Sequence, residues 1–164
     1  MPYPPPIESI PDLIAAYLHA PADLARAVAG MSPEQLRASP VAGKWSTLQV
    51  ACHLADATAV YADRIKRTIA MDKPLLMSYD ESRYAAALAY SQRDLDEELA
   101  LMRATRGQIA RILRTLGSDA WDRVAVHSEN GLVTLKHCVQ MDALHVPHHV
   151  HFIMEKRRAM GLPT

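Results

Sequence analysis

A chain of 164 residues fits one domain with room for a sizeable core. It is 49% hydrophobic but only 5% aromatic, so the core must be aliphatic, which suits packed helices better than a sheet. Lys+Arg and Asp+Glu each number 18, and this balance excludes the electrostatic footprint of a nucleic-acid or acidic-membrane binder.

The two cysteines, Cys52 and Cys138, are too few for a disulfide scaffold. Each is flanked by apolar helical residues and reads as a buried free thiol. The start, Met1-Pro2-Tyr3-Pro4-Pro5-Pro6, has neither the basic beginning nor the apolar run of a signal peptide. No stretch is long and apolar enough to span a bilayer. The expectation is a soluble, cytoplasmic protein with a small-molecule substrate, no nucleic-acid partner and no membrane partner.

Residues 1–6 form a proline-rich, extended lead-in. Pro11 suits the first position of a helix. Leu13, Ile14, Tyr17 and Leu18 then recur at helical spacing. Pro21 kinks or restarts this helix, and Leu24 and Val28 carry its stripe to Gly30. Ser32-Pro33-Glu34-Gln35 is a capping box opening a short helix, and Ser46 with Gln49 is a second one. From Thr47 a long helix runs to about Met71, with Leu48, Cys52, Ala55, Ala59, Ala62 and Ile65 on one stripe. His53 and Asp56 lie one turn apart on an adjoining stripe. Trp45 reads as an anchor packing the preceding loop onto the helices.

Leu75 to Tyr79 read as a connection, and Asp80 as the cap of a further helix. The run from about Arg93 to Leu116 is strongly helical, with Gly117 as its stop; Ser118 to Trp121 form a short turn. Asn130-Gly131 between Val124-Ala125-Val126 and Leu132-Val133 signals a hairpin. Thr134 caps the last helix, in which Pro147 removes one backbone bond. Four long helices with aliphatic stripes predict an all-α, four-helix-bundle domain over residues 1–164, with short extra helices and at most one small β-hairpin.

The chemistry gathers in Leu144-His145-Val146-Pro147-His148-His149-Val150-His151, which holds half of the 8 histidines. His145 and His149 are four apart, so their imidazoles share one helix face. Such a pair is an incomplete metal site, and His53 is the candidate third ligand. A solvated basic patch, or core histidines satisfied by hydrogen bonds, would explain the same spacing. His148 is a candidate substitute ligand, proton shuttle or surface histidine. Asp56 is a candidate to orient His53 or a metal-bound water, or a surface charge.

The blocks of the chain resemble, in order, those of the DinB/YfiT-like family of helical-bundle metalloproteins. The first is Gly43-Lys44-Trp45-Ser46 with His53-Leu54-Ala55-Asp56. Tyr79-Asp80-Glu81 resembles a middle block. Asn130-Gly131 and Thr134-Leu135, then His145-Val146-Pro147-His148-His149, resemble the last. The resemblance spans about Leu24 to Ile153. It implies a four-helix bundle, often a homodimer, with His53, His145 and His149 binding a divalent metal. Two departures fall beside the ligands: Leu144 stands where the family branch carries an aromatic residue, and Phe152 where it carries a further histidine.

Three neutral histidines leave zinc or nickel open to water and to a substrate atom. Either hydroxide or the thiolate of a low-molecular-weight thiol co-substrate suits such a site. The leading expectation is a thiol S-transferase acting on electrophilic small molecules. A metal-dependent hydrolase and a non-catalytic metal-binding stress-response module are the alternatives.

Overall fold

The computed structural model describes residues 4–164. Residues 1–3, half of the proline-rich lead-in, lie outside the described residues. Four long helices form the domain: α1 (Ile10–Val28), α3 (Thr47–Ala70), α5 (Leu95–Leu113) and α6 (Leu135–Ala159). Two short ones, α2 (Pro33–Arg37) and α4 (Glu81–Ala87), ride in the connections, with single 3-10 turns at Tyr90–Gln92 and Ser118–Asp122. Around the bundle the order is α1, α6, α3, α5, so α3 and α6 are neighbours. No helix among the described residues is long and apolar enough to cross a membrane.

The starts of α2, α3, α4 and α6 follow the predicted caps, whereas α1 and α5 are capped by Ser9 and Asp94, which were not expected. Ser46 Oγ accepts from Gln49 N at 3.2 Å and Gln49 Oε1 accepts from Ser46 N at 2.9 Å, which together satisfy two orphan donors of α3. Ser32 and Gln35 do the same for α2. Thr134 Oγ1 accepts from His137 N at 3.1 Å and fixes the start of α6. Pro21 and Pro147 both lie inside continuous helices. Each removes one backbone donor, and packing against the neighbouring helices offsets that loss.

The hairpin forms as β2 (Val124–His127) and β3 (Gly131–Thr134), with Gly131 at φ 69° in the turn, where a side chain would be strained. A third strand was not expected. Leu75–Leu76 (β1) pairs parallel with β2, where Val126 N donates to Pro74 O and Ser128 N to Leu76 O, both at 2.9 Å. Two residues are too short to show alternation, so this segment reads as a connection in the sequence.

The apolar core has two parts. Leu13, Ile65, Ile109, Leu113, Leu135 and Val139 pack at the sheet end, and Leu24, Leu54, Met102, Val146 and Ile153 at the other. Between them each long helix contributes one group to a polar layer. The guanidinium of Arg106 (α5), fully buried, donates from Nη1 to Tyr17 O of α1 at 3.0 Å and from Nε to Thr58 Oγ1 of α3 at 3.2 Å. From Nη2 it donates to Asp142 O of α6 at 2.9 Å and also to Asp142 Oδ1. The Arg106 cation also lies over the Tyr17 ring, 4.7 Å from its centroid.

Removing one member of a buried ion pair strands the other charge. Arg106→Met should therefore lower unfolding stability by about 3–5 kcal/mol in urea titrations, far beyond a surface substitution. A loss within experimental error would show that the layer contributes nothing.

Candidate metal centre

His53 projects from the second and third turns of α3, and His145 and His149 from successive turns of α6. Because α3 and α6 are neighbours, the three rings meet edge-on, with centroids 4.7, 4.8 and 4.9 Å apart. Their Nε2 atoms point inward. His145 Nε2 lies 3.1 Å from His53 Nε2 and 3.1 Å from His149 Nε2. The candidate ligand atoms all lie within 4.8 Å of one another. Among the described residues this is the one such cluster of histidine, cysteine and carboxylate groups.

The electrostatics keep these rings neutral. Burial, opposed by Asp56, pulls His53 down to about 4. Burial, with His53, His148 and Lys156 adding to it, pulls His149 down to about 3. His145 is held well below the usual range by burial first, then by His149, His53, Arg106 and His148. Neutral imidazoles are the ligating form.

The cluster fits a divalent ion on its own geometry. A neutral Nε2 carries either a proton or a lone pair, so three converging Nε2 atoms cannot all be satisfied by hydrogen bonds among themselves. A cation shared by three lone pairs resolves that conflict. Metal–nitrogen bonds of ~2.0–2.1 Å in a tetrahedral set would place ligand nitrogens roughly 3.3 Å apart, close to the observed 3.1 Å. The Nδ1 atoms of His53 and His145 are buried with no hydrogen-bond partner among the described residues. The usual outer-shell acceptor is therefore missing behind both rings.

Other groups shape the surroundings. Trp45 does more than anchor a loop: its ring lies 5.2 Å from His53 and 6.4 Å from Tyr90, walling one side of the cluster. Glu81, at the start of α4, places Oε1 4.0 Å from His53 Nε2. Asp80 caps α4 by accepting from Arg83 N at 2.9 Å, and this sets Glu81 in the first turn. Burial and the neighbouring Asp80 raise the Glu81 carboxyl above its ordinary value.

Asp56 makes no hydrogen bond to His53. Its carboxylate accepts from Arg93 Nη1 at 2.9 Å, Arg93 Nη2 at 3.1 Å and the Tyr90 hydroxyl at 2.8 Å. Arg93 also grips Glu98 at 2.6 and 2.7 Å. The expected orienting role is corrected to a structural one: Asp56 ties α3 to the segment before α5 and acts on His53 only through space. His148 packs edge-on against His149 and Phe152, with centroids 5.2 and 5.1 Å away, and its nitrogens lie outside the cluster.

Neither cysteine joins the histidines. Cys52 is buried, donates to Tyr90 O at 3.5 Å, and has its thiol pushed up to about 12 by burial and by Glu98. Cys138 is buried and raised as well. Of the remaining histidines, His127 accepts from Glu129 N and Asn130 N at 3.2 and 3.3 Å, which braces the hairpin turn.

The model of the DinB superfamily matches residues 16–153. The chain belongs to this superfamily. A DinB relative in Bacillus subtilis (strain 168), YfiT, is 30% identical over 142 residues, covering 86% of this chain and 80% of the relative. Another, from Geobacillus thermodenitrificans, is 28% identical over 94% of this chain and 87% of its own length. Both carry the name "Putative metal-dependent hydrolase". The solved structure of YfiT, described as having an unusual four-helix bundle topology, superposes with a TM-score of 0.91 over 99% of this chain and 97% of that one. The mycothiol-dependent maleylpyruvate isomerase shares the fold at a TM-score of 0.69, with 14% identity over 88% of this chain and 60% of that one.

Two outcomes follow for the site. His145→Ala and His149→Ala should each abolish stoichiometric metal content in protein purified without an affinity tag, His53→Ala should lower it severely, and His148→Ala should retain it. Retention in His149→Ala with loss in His148→Ala would put the ligand face one residue away. The second outcome concerns acid. Burial pulls His53 and His149 down to about 4 and about 3 in the folded protein, against about 6.5 for a histidine in an unfolded chain, so below about pH 6.5 the unfolded chain binds more protons. Metal-free protein should hold its full stability above that pH and lose it as the pH falls toward 4. Urea midpoints that stay level or rise on acidification would contradict this.

Proposed function

We propose that this protein is a metal-dependent enzyme that ionises a small nucleophile at the three-histidine cluster and directs it at an electrophilic small molecule. The observation that carries the reading is the convergence of three neutral Nε2 atoms with one carboxylate, Glu81, 4.0 Å from His53 Nε2. A divalent ion, zinc or nickel, held by His53, His145 and His149 would supply the positive charge that favours the anionic form of water or a thiol.

The chain's own groups have separable tasks. The histidines would hold the ion without neutralising it, since each is uncharged. Glu81 accepts the proton released by the nucleophile, and its raised carboxyl suits it to return that proton to a leaving group. Trp45 excludes water from one side of the cluster, leaving the half-buried His149 as the side of approach.

Water is the favoured nucleophile, which makes the protein a hydrolase, as the names of its DinB relatives suggest. The thiol S-transferase reading stays as the second, because a cavity of about 240 Å³ beside His149 admits a nucleophile larger than water. The two diverge in one assay of metal-loaded protein with a reactive ester, with and without low-molecular-weight thiols. Hydrolysis predicts thiol-independent turnover, lost in His149→Ala and lowered about 10²–10⁴-fold in Glu81→Gln with metal content unchanged. A rate that appears only with thiol would select the transferase. No turnover of either kind, at full metal loading, would overturn the enzyme reading in favour of a binding module.

A further inference from the structure

The cavity beside His149 has a charge pattern that the metal centre does not use. Trp45, Val50 and Phe152 give it apolar walls, and Lys44 and Lys156 line it as well. No carboxylate lines it among the described residues. Two cations and no carboxylate in the lining give this cavity a cationic wall.

Lys156 is the informative residue. It belongs to the basic last turn of α6, where the helix dipole alone would explain a cation. Its neighbour Arg158 fits that explanation and lies exposed in solvent. Lys156 does not: it is only 3% exposed, and burying an ammonium is unfavourable unless something pairs with it. Its one hydrogen bond among the described residues goes to Phe152 O of its own helix, at 3.3 Å. An ammonium has three donors. Glu155, the nearest acid in sequence, pairs with His151 at 3.2 Å. Burial works against the charge on Lys156, Glu155 offsets part of that, and the nearby Lys44 adds to it, so an anion placed between the two lysines would favour the charged form.

We propose that this cavity is a subsite for an organic carboxylate carried by the substrate, with Lys156 and Lys44 gripping the carboxylate. Trp45, Val50 and Phe152 hold the apolar body, and the reacting end faces His149. The volume of about 240 Å³ suits a short acid rather than a polymer. The walls offer no arginine fork, the feature that grips phosphate in a bidentate way, and their apolar surface favours an organic acid over an inorganic anion. The orientation of the reacting end rests on the proposed metal-dependent activity; the subsite itself does not.

The test uses the full chain, both metal-stripped and zinc-loaded, with hydrocinnamate, its neutral amide and inorganic phosphate as probes. Trp45 lines the cavity and Trp121 is buried in the core, so tryptophan fluorescence reports occupancy. Hydrocinnamate should bind both forms, and the amide at least about tenfold more weakly, since a charge-assisted hydrogen bond is lost. Lys156→Met should weaken the acid by about tenfold or more and leave the amide unchanged. Lys44→Gln, at an exposed position, should weaken the acid and serves if Lys156→Met loses its helical circular dichroism. Equal affinity for acid and amide, phosphate binding more tightly than the acid, or acid binding only to zinc-loaded protein would each overturn the subsite. Because the metal-stripped arm needs no turnover, it separates failure of the subsite from failure of the proposed activity. A neutral ester hydrolysed in a His149-dependent way, by a protein that fails the fluorescence test, would leave the activity standing and remove the subsite.

Discussion

One buried guanidinium, carried by α5, meets the other three long helices. Arg106 reaches a carbonyl of α1, a hydroxyl of α3 and both a carbonyl and the carboxylate of α6. Aliphatic side chains can slide past one another with small changes in energy, because burial has no direction. Hydrogen bonds from a rigid planar fork do have direction. A slip of any helix along the bundle would leave a charged group unpaired in the core, so the layer fixes axial register where leucines and alanines cannot.

That register is what brings the histidines together. Asp142 is three residues from His145, so the Arg106 contact sets the height of the first histidine on α6. Thr58 does the same for His53 on α3, about a turn and a half away. Arg106 also helps keep His145 uncharged through its own positive field. The same residue therefore positions the cluster and keeps one of its rings in the form that can ligate. Three neutral ligands leave the full charge of a bound ion available to a nucleophile, which a carboxylate or thiolate ligand would partly cancel.

The long helices, their caps and the pairing of His145 with His149 were legible in the sequence, because each is a local pattern of three or four residues. His53 was a candidate third ligand from its residue type and its predicted helix, and the family resemblance supported it, but spacing along the chain does not report which helices are neighbours. The strand at Leu75–Leu76 was too short to show a period. Arg106 and Asp142 did leave a signal. Each is a charge in the middle of an apolar stripe, between Met102 and Ile109 and between Val139 and Val146. Lys156 gave none, because a lysine in a last helical turn is ordinary and only the fold shows it buried. Asp56 misled for a similar reason: its spacing from His53 was right, but Arg93, 37 residues away, takes its carboxylate.

The central claim is that three imidazoles, and no thiol, hold one divalent ion between α3 and α6. X-ray absorption at the metal edge of zinc-loaded, untagged protein tests it most directly. The account predicts imidazole scattering from three histidines, oxygen or nitrogen in the remaining positions, and one imidazole fewer in any His53→Ala protein that still retains zinc. A sulfur shell at about 2.3 Å, the usual zinc–thiolate distance, or an imidazole count that ignores the loss of His53, would contradict it.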